Sequence, residues 1–317
     1  MKRVAVLLCL SSFAFAQDID VPHTLSNNSV ADADQVMANL NALKDGVNTR
    51  MSVDLTTYNT AIGNGLKSVT PGTPDASSGT LNTASGIGAL YSNTSGYLNT
   101  AVGLNGLYTN SAGSFNSAFG NGALYLNEDG SYNTAIGSRA AYSNTSGSYL
   151  VAVGREALFN NTSGDLNTAV GLNGLYTNSA GGFNSAFGNG ALYLNEDGSY
   201  NTAIGSRAAY NNTSGSYLVA VGREALFNNT TGDFNTVIGY AADVTTGGIT
   251  NATAIGYNAK VNDSNKVRIG NTSVTVIEGN VGLTVTSDAR LKEDIATIES
   301  GLAFIKDLNP VSYHRIN

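Results

Sequence analysis

The sequence predicts an all-β fold, a parallel β-roll or β-solenoid of 17-residue repeats, with a short helix near each terminus. Three observations predict this fold. A 17-residue pattern recurs without slippage from Asn82 onward, each unit has glycine at two fixed positions, and apolar residues occupy fixed columns between them. Such a period is the sequence signature of a stacked repeat architecture. The composition agrees, because the chain has 37 Gly, no Trp and only 12% charged residues.

The repeat unit reads Asn-Thr-Ala, then Ile, Val or Phe, then Gly-x-x-Ala-Leu, then Tyr or Phe, then x-Asn-x-x-Gly-x-x. An earlier copy begins at Asn59 and is separated from the array by an insertion around Pro71 and Pro74, so the repeat region is placed at residues 59–260. A longer duplication is superimposed on the short one. Residues 98–165 and 166–233 differ only at Ser114/Gly182, Ser143/Asn211 and Ser163/Thr231.

One unit suits a single coil of a solenoid with two short strands and two turns, because both glycine columns allow turns with positive φ. Neighbouring strands lie about 4.8 Å apart, so about eleven coils predict a rod section of about 50 Å. The alanine column from Ala84 to Ala254 is predicted to line a tight interior. Two more columns are predicted to fill this core: Val102, Phe119, Ile136 and Val153 from the first strand, and Leu90, Leu107, Leu124 and Leu158 from the second.

Two further columns are expected to form ladders along the rod. The aromatic rings are expected to stack on one another, and the asparagine amides are expected to bond between coils, as in cross-β ladders. A helical repeat is disfavoured by two glycines in every unit, and disorder is disfavoured by the strict apolar columns. The ladders comprise Tyr91, Tyr108, Tyr125, Tyr142 and Phe159, and the asparagines from Asn93 to Asn229.

Residues 1–16 have the pattern of a secretory signal peptide. Lys2 and Arg3 precede an apolar stretch, and Ala14-Phe15-Ala16 is a small-x-small cleavage pattern. The alternative is a lipoprotein signal that carries its lipid on Cys9. Cleavage after Ala16 would remove this cysteine, the only one in the chain. We expect no integral membrane span, because no later segment has the roughly 20 apolar residues that one needs.

Residues 17–58 are predicted to form an N-terminal segment with one short helix over residues 32–50. Asp32 and Gln35 have the spacing of a weak capping box. The apolar residues of this helix follow at spacings of four, three and four, which is typical of a coiled-coil seam. Two interpretations stay open, an amphipathic helix packed on a neighbour and a short oligomerising collar. The seam residues are Val36, Leu40, Leu43 and Val47.

The repeat motif resembles the head repeats of the trimeric autotransporter adhesins, the YadA-like family. Matching segments begin at Asn133, Asn201 and Thr253, and the resemblance extends over residues 59–260. It implies a left-handed parallel β-roll, three copies of which associate around a common axis as a homotrimer. It also implies that the roll surface binds host or matrix components. The usual period of that family is shorter than the period found here.

The C-terminal part shows a second resemblance. Residues 261–286 are predicted to be a β-rich neck, because Lys266 to Thr272 is similar to the lead-in of phage tailspike chaperone modules. Residues 287–317, through Ser287-Asp-Ala-Arg-Leu-Lys-Glu-Asp-Ile, resemble the opening of the endosialidase-type intramolecular chaperone peptidases. That resemblance implies a self-cleaving dyad of Ser287 and Lys292, in which a neutral lysine takes the serine proton. The segment is shorter than the usual module.

A helix over residues 290–308 is predicted within this segment, because five apolar residues lie along one of its faces. Two interpretations of the helix are open. It is a retained cap, whose Arg290 and Lys292 pair with carboxylates, or it belongs to a module that cleaves the chain. The apolar residues are Leu291, Ile295, Ile298, Leu302 and Ile305.

Other site chemistry is not indicated. His23 and His314, the only histidines, lie in opposite terminal segments, which disfavours a metal site or a Ser-His-Asp triad. The turn acids Glu128 and Asp129 are expected to be solvated rather than to bind Ca²⁺. We therefore predict no metal and no cofactor. A balance of 23 acidic against 16 basic residues also disfavours a nucleic-acid partner.

The sequence thus predicts a secreted, extracellular or cell-surface adhesin or structural fibre. It would bind a host, matrix or carbohydrate surface through the tyrosine and asparagine ladders and exposed threonines. The alternative is a phage-type tail fibre with a self-cleaving C-terminal chaperone. A third class, ice or crystal-surface binding, would use the threonine row from Thr83 to Thr236. Serine or valine interrupts that row at Ser117, Val151, Ser185 and Val219.

Overall fold

The computed structural model describes residues 51–54, 59–62 and 79–280. In these ranges the chain forms short β-strands joined by turns, without a helix. The chain divides into two compact units, Met1–Val274 and Thr275–Asn317. The first contains all the strands below, and of the second only residues 275–280 are described, which have no regular structure. The predicted signal peptide and both predicted terminal helices lie outside the described residues.

Within the described ranges, fourteen strands form one sheet and two more form a second sheet. In the large sheet β1 and β2 are antiparallel, and every later neighbour is parallel, in the order β2 to β12, then β14 and β16. In the small sheet β13 pairs with β15. The strands are β1 (Met51–Asp54), β2 (Asn59–Ile62), β3 (Thr83–Ser85), β4 (Thr100–Val102), β5 (Ser117–Phe119), β6 (Thr134–Ile136), β7 (Val151–Val153), β8 (Thr168–Val170), β9 (Ser185–Phe187), β10 (Thr202–Ile204), β11 (Val219–Val221), β12 (Thr236–Ile238), β13 (Asp243–Val244), β14 (Thr253–Ile255), β15 (Lys260–Val261) and β16 (Val267–Ile269).

The strand register confirms the parallel β-solenoid of about eleven coils. Ala101 lies beside Ala118, and Ala118 lies beside Ala135, so equivalent residues of successive repeats are direct neighbours. Two coils depart from the 17-residue length. Asn82 bonds across 23 residues to Asn59, where the predicted insertion falls. Thr250 bonds across 14 residues to Ser264, in the last coil.

The interior consists of the predicted alanine and leucine columns. The alanines at the centres of the strands and the leucines that follow each first glycine are fully buried. Small residues are needed at the strand centre because the opposite side of the same coil lies close: a Cβ added to Gly106 would lie 3.6 Å from the Ala101 Cβ. The members include Ala84, Ala101, Ala118 and Ala135 in the strands, with Leu90, Leu107, Leu124 and Leu158 facing them.

The predicted second strand is formed in only two described coils, those that begin with β12 and β14, where β13 pairs with β15. From β3 to β11 each coil has one strand of three residues, and the leucines lie in the turn segment that follows it. Leu107 and Leu124 have φ of 49° and 52°, a left-handed conformation that residues other than glycine seldom adopt. The neighbouring coil compensates for it, since the Leu107 N–H donates to the Ala123 carbonyl at 3.0 Å.

The prediction that Val102, Phe119, Ile136 and Val153 fill the core is wrong. Successive side chains of a strand point to opposite faces. Because Ala101 and Ala118 point inward, the residues directly after them point outward. Phe119 and Ile136 are 41% and 44% exposed.

The two glycine columns have different structural roles. The first, such as Gly120 and Gly137, has φ of 140° and 134°, which confirms the predicted positive-φ turns. The second column lacks positive φ, so that expectation is wrong for Gly147 and its equivalents. Glycine is needed at Gly147 for space. A Cβ there would lie 2.5 Å from both Asn144 Oδ1 and Asn161 Nδ2.

Candidate functional surfaces

The described part of the solenoid presents one broad apolar surface, which we name the outer sheet face. It comprises the first and third residues of each strand from β3 to β12 and of β14, with the residue two places before each strand. In β6 these are Tyr132, Thr134 and Ile136, whereas Asn133 and Ala135 point inward. The face therefore has an aromatic-rich column, a hydroxyl-rich column and an aliphatic column, side by side.

The aromatic-rich column of this face contains two stacked runs of rings, separated by Leu166, that the sequence analysis missed. Tyr132 and Tyr149 stack with centroids 5.0 Å apart, and Tyr200 and Tyr217 stack at 5.1 Å. These rings remain about half exposed, with 55% for Tyr149 and 52% for Tyr217. The recurrence of an apolar residue two places before each strand from β3 to β12 was the available signal. The column consists of Leu81, Leu98, Phe115, Tyr132, Tyr149, Leu166, Phe183, Tyr200, Tyr217, Phe234 and, before β14, Asn251.

The predicted tyrosine ladder is confirmed as a second aromatic column on another side of the coil. Tyr91 and Tyr108 stack at 5.1 Å, and the stack continues through Tyr125 and Tyr142 to Phe227. Its rings are half-buried. Burial raises the pKa of Tyr193, and the hydroxyls of the adjacent tyrosines raise it further.

The asparagine ladder forms as predicted, but it lies in the interior and cannot contact a partner. Asn144 Nδ2 donates to Asn127 Oδ1 at 2.7 Å and to the Gly147 carbonyl at 2.8 Å. A second buried asparagine column lies just before the strands. There Asn99 accepts from the Asn116 N–H at 2.9 Å and donates to the Gly113 carbonyl at 2.8 Å. Both columns join the coils internally, which removes the asparagines from the predicted binding surface.

The threonine row is not an isolated exposed array. Thr134 and Thr168 are half-buried, because they lie between the aromatic-rich and aliphatic columns of the outer sheet face. Val151, an interruption foreseen from the sequence, lies in the same row and is 37% exposed. The surface around the row is therefore mainly apolar.

A small charged pocket of about 320 Å³ lies where the second aromatic column ends at Phe227. Asp243, only 2% exposed, lines it and lies 3.5 Å from Lys260 Nζ. Its carboxylate also accepts from the Asn228 and Val244 N–H groups. Burial nevertheless raises the pKa of this carboxyl, against the lowering effects of these hydrogen bonds and of Lys260.

The charged groups around this pocket are already paired. Arg207 bonds Glu224, and the Arg207 guanidinium lies 5.8 Å from the Phe227 ring centre. An equivalent Arg139–Glu156 pair occurs four coils earlier. Both acidic side chains that line the pocket, Glu224 and Asp243, are therefore paired with a cation.

No group of three or more acidic, histidine or cysteine side chains suited to a metal ion occurs in the described ranges. The turn acids Glu128 and Asp129 are exposed there. None of the described residues forms a helix long and apolar enough to cross a membrane.

Ser287 and Lys292, the predicted self-cleaving dyad, lie outside the described residues. A family described as the chaperone of endosialidase matches residues 287–317, so the match begins at Ser287 itself. Neither the curated proteins nor the solved structures give a match. A β-solenoid followed by a chaperone-of-endosialidase match fits a tail-fibre-like structural protein.

Proposed function

We propose that this chain is the subunit of a secreted homotrimeric fibre that works by attachment to a surface outside the cell. The observation that carries the proposal is the order of the two parts, a β-solenoid followed by a segment similar to endosialidase chaperones. A long parallel solenoid makes mostly contacts between coils and offers the same side chains at every level. Such a surface suits multivalent attachment better than catalysis at one site.

The C-terminal segment, residues 287–317, would act on the fibre during assembly. Ser287 would attack the carbonyl carbon of the preceding peptide bond, and the neutral Lys292 amine would accept the serine proton. The amide bond breaks as Lys292 returns the proton to the departing nitrogen, and water then hydrolyses the ester. This step would release the segment from the fibre after the chains have associated.

Mass spectrometry of the secreted full chain tests both parts of this proposal. We expect a mature chain that begins at Gln17 and a native mass three times that of one chain. We also expect a fragment that ends beside Ser287, and Ser287→Ala should abolish it. Ser300→Ala is the matched control in the same segment and should leave the fragment unchanged.

The outcomes of this experiment separate the two functions. Trimers without cleavage would retain the fibre and would assign residues 287–317 to a permanent cap. A monomeric mature chain would contradict the fibre itself. Cleavage in a chain that keeps residues 1–16 would instead favour the phage-type tail fibre, because a virion fibre assembled in the cytoplasm does not need a signal peptide.

A further inference from the structure

The outer sheet face is unusual because its apolar side chains have no cover within the described chain. Parallel sheets normally have both faces covered, with side chains buried on each. Here the inward face covers the alanine and leucine core, whereas Phe119, Phe187 and Ile204 on the outward face are 41%, 42% and 44% exposed. Exposed apolar patches larger than a few hundred Å² mark interaction surfaces.

The size of this face is that of a stable protein interface. Its eleven strands, spaced about 4.8 Å apart, give the face a length of about 50 Å along the rod. Five extended residues in each coil give it a width of roughly 17 Å. The product is roughly 800 Å², which is about what one partner contributes to a standard interface.

The charge distribution also distinguishes this face. None of its three columns contains a charged residue in any coil from Leu81 to Ile255. Charged residues lie elsewhere on the coil, as in the exposed turn acids Glu128 and Asp129 and in the Arg139–Glu156 pair. Depletion of charge at the centre with polar groups around it is the usual anatomy of an interface core.

We propose that the outer sheet face is the surface through which copies of this chain associate side by side, with their coils at matching levels. This inference rests on the proposed homotrimeric fibre and names the surface that forms it. A second copy fits because it has the same strand spacing, so each level of one chain meets an equivalent level of the next. A partner that is not built from stacked coils would place equivalent side chains opposite only a few of the coils of this chain.

The size pattern along the aliphatic column supports this choice of occupant. Large rings at Phe119 and Phe187 recur four coils apart, and each adjoins a smaller residue of the preceding coil, Val102 and Val170 respectively. In copies at matching levels, the rings of one level extend over the smaller side chains of the adjacent level. Van der Waals contact between copies then continues along the whole face.

Charge substitution within the face is the direct test. The double variant Ile136→Lys, Ile204→Lys changes outward residues only, and Ser146→Lys, Ser214→Lys is the control at exposed turns of the same two repeats. Sedimentation of the full mature chain should show trimers for the wild type and the control. Because burial of unpaired lysines is costly, the face variant should need at least about 100-fold higher concentration to assemble. Circular dichroism checks that it stays folded.

Cysteine cross-linking gives a second test with a neutral substitution. In a Cys9→Ser background, Ile136→Cys should cross-link between copies with a short bis-maleimide, and Ser146→Cys should not. Wild-type trimers that tolerate the lysine pair and fail to cross-link at Ile136 would overturn this surface and leave the fibre intact. A monomeric wild type that binds phosphatidylcholine vesicles would overturn both and identify the face as a lipid-contacting surface.

Discussion

Replacement of Gly147 by alanine should destabilise the solenoid through the asparagine ladder and not through backbone strain. The Gly147 φ lies outside the left-handed region. The new Cβ would lie 2.5 Å from Asn144 Oδ1 and from Asn161 Nδ2, and 2.7 Å from the Gly164 carbonyl oxygen. Neither asparagine can withdraw without losing the 2.8 Å bond that joins the two amides.

The magnitude follows from the bonds at risk. The clash breaks the Asn161 to Asn144 bond and displaces Asn144 from the Gly147 carbonyl, which it also contacts at 2.8 Å. Each buried polar group left unpaired costs about 1–3 kcal/mol, so the expected loss in the free energy of unfolding is roughly 2–6 kcal/mol.

Gly174→Ala is the matched control, because it adds the same methyl group without a clash. Its nearest neighbour would be the Ala169 Cβ at 3.5 Å, an ordinary contact. Other coils already have alanine there, at Ala89 and Ala123. Urea unfolding of the full chain, followed by circular dichroism, should show no loss and a gain of up to about 1 kcal/mol. Equal losses for Gly147→Ala and Gly174→Ala would refute the steric role of the second glycine column.

Three further predictions concern other parts of the solenoid. Asn144→Asp removes the amide donor to Asn127 and Gly147, and urea unfolding should show a loss of about 3 kcal/mol or more. Because burial raises the Asp243 pKa, stability should fall as pH rises from 3.8 through the raised value, and Asp243→Asn should abolish that slope in pH-dependent unfolding. Deletion of residues 166–233 removes four equivalent coils, so electron microscopy should show a fibre shorter by about 19 Å with its assembly retained.

Much of the fold could be predicted from the sequence because a strict period fixes which residues become neighbours. Ala84, Leu90 and Tyr91 occupy columns of one chemical type, and each column becomes either core or ladder once the coils stack. The outward direction of the Val102 side chain could also have been predicted. Side chains alternate between the two faces of a strand, so an inward-pointing Ala101 implies an outward-pointing Val102.

Other features carried weaker signals or none. Leu107 and Tyr132 adopt left-handed φ, for which their residue types give no indication, because the cost is offset by bonds from neighbouring coils. The spatial role of Gly147 depends on how close two asparagine amides lie, which composition does not reveal. Asp243 could have been noticed, since it follows Leu226 by one period and places a carboxylate in a leucine column.

Distances between spin labels test the stacking of the coils most directly. Labels at Ser146 and Ser214 are four coils apart, and labels at Ser146 and Thr231 are five coils apart. With labelled chains diluted into unlabelled ones, the two pairs should give distances of about 19 Å and about 24 Å, a step of one strand spacing. A step near 25 Å for the same 17 residues, as a helix would give, would contradict the solenoid.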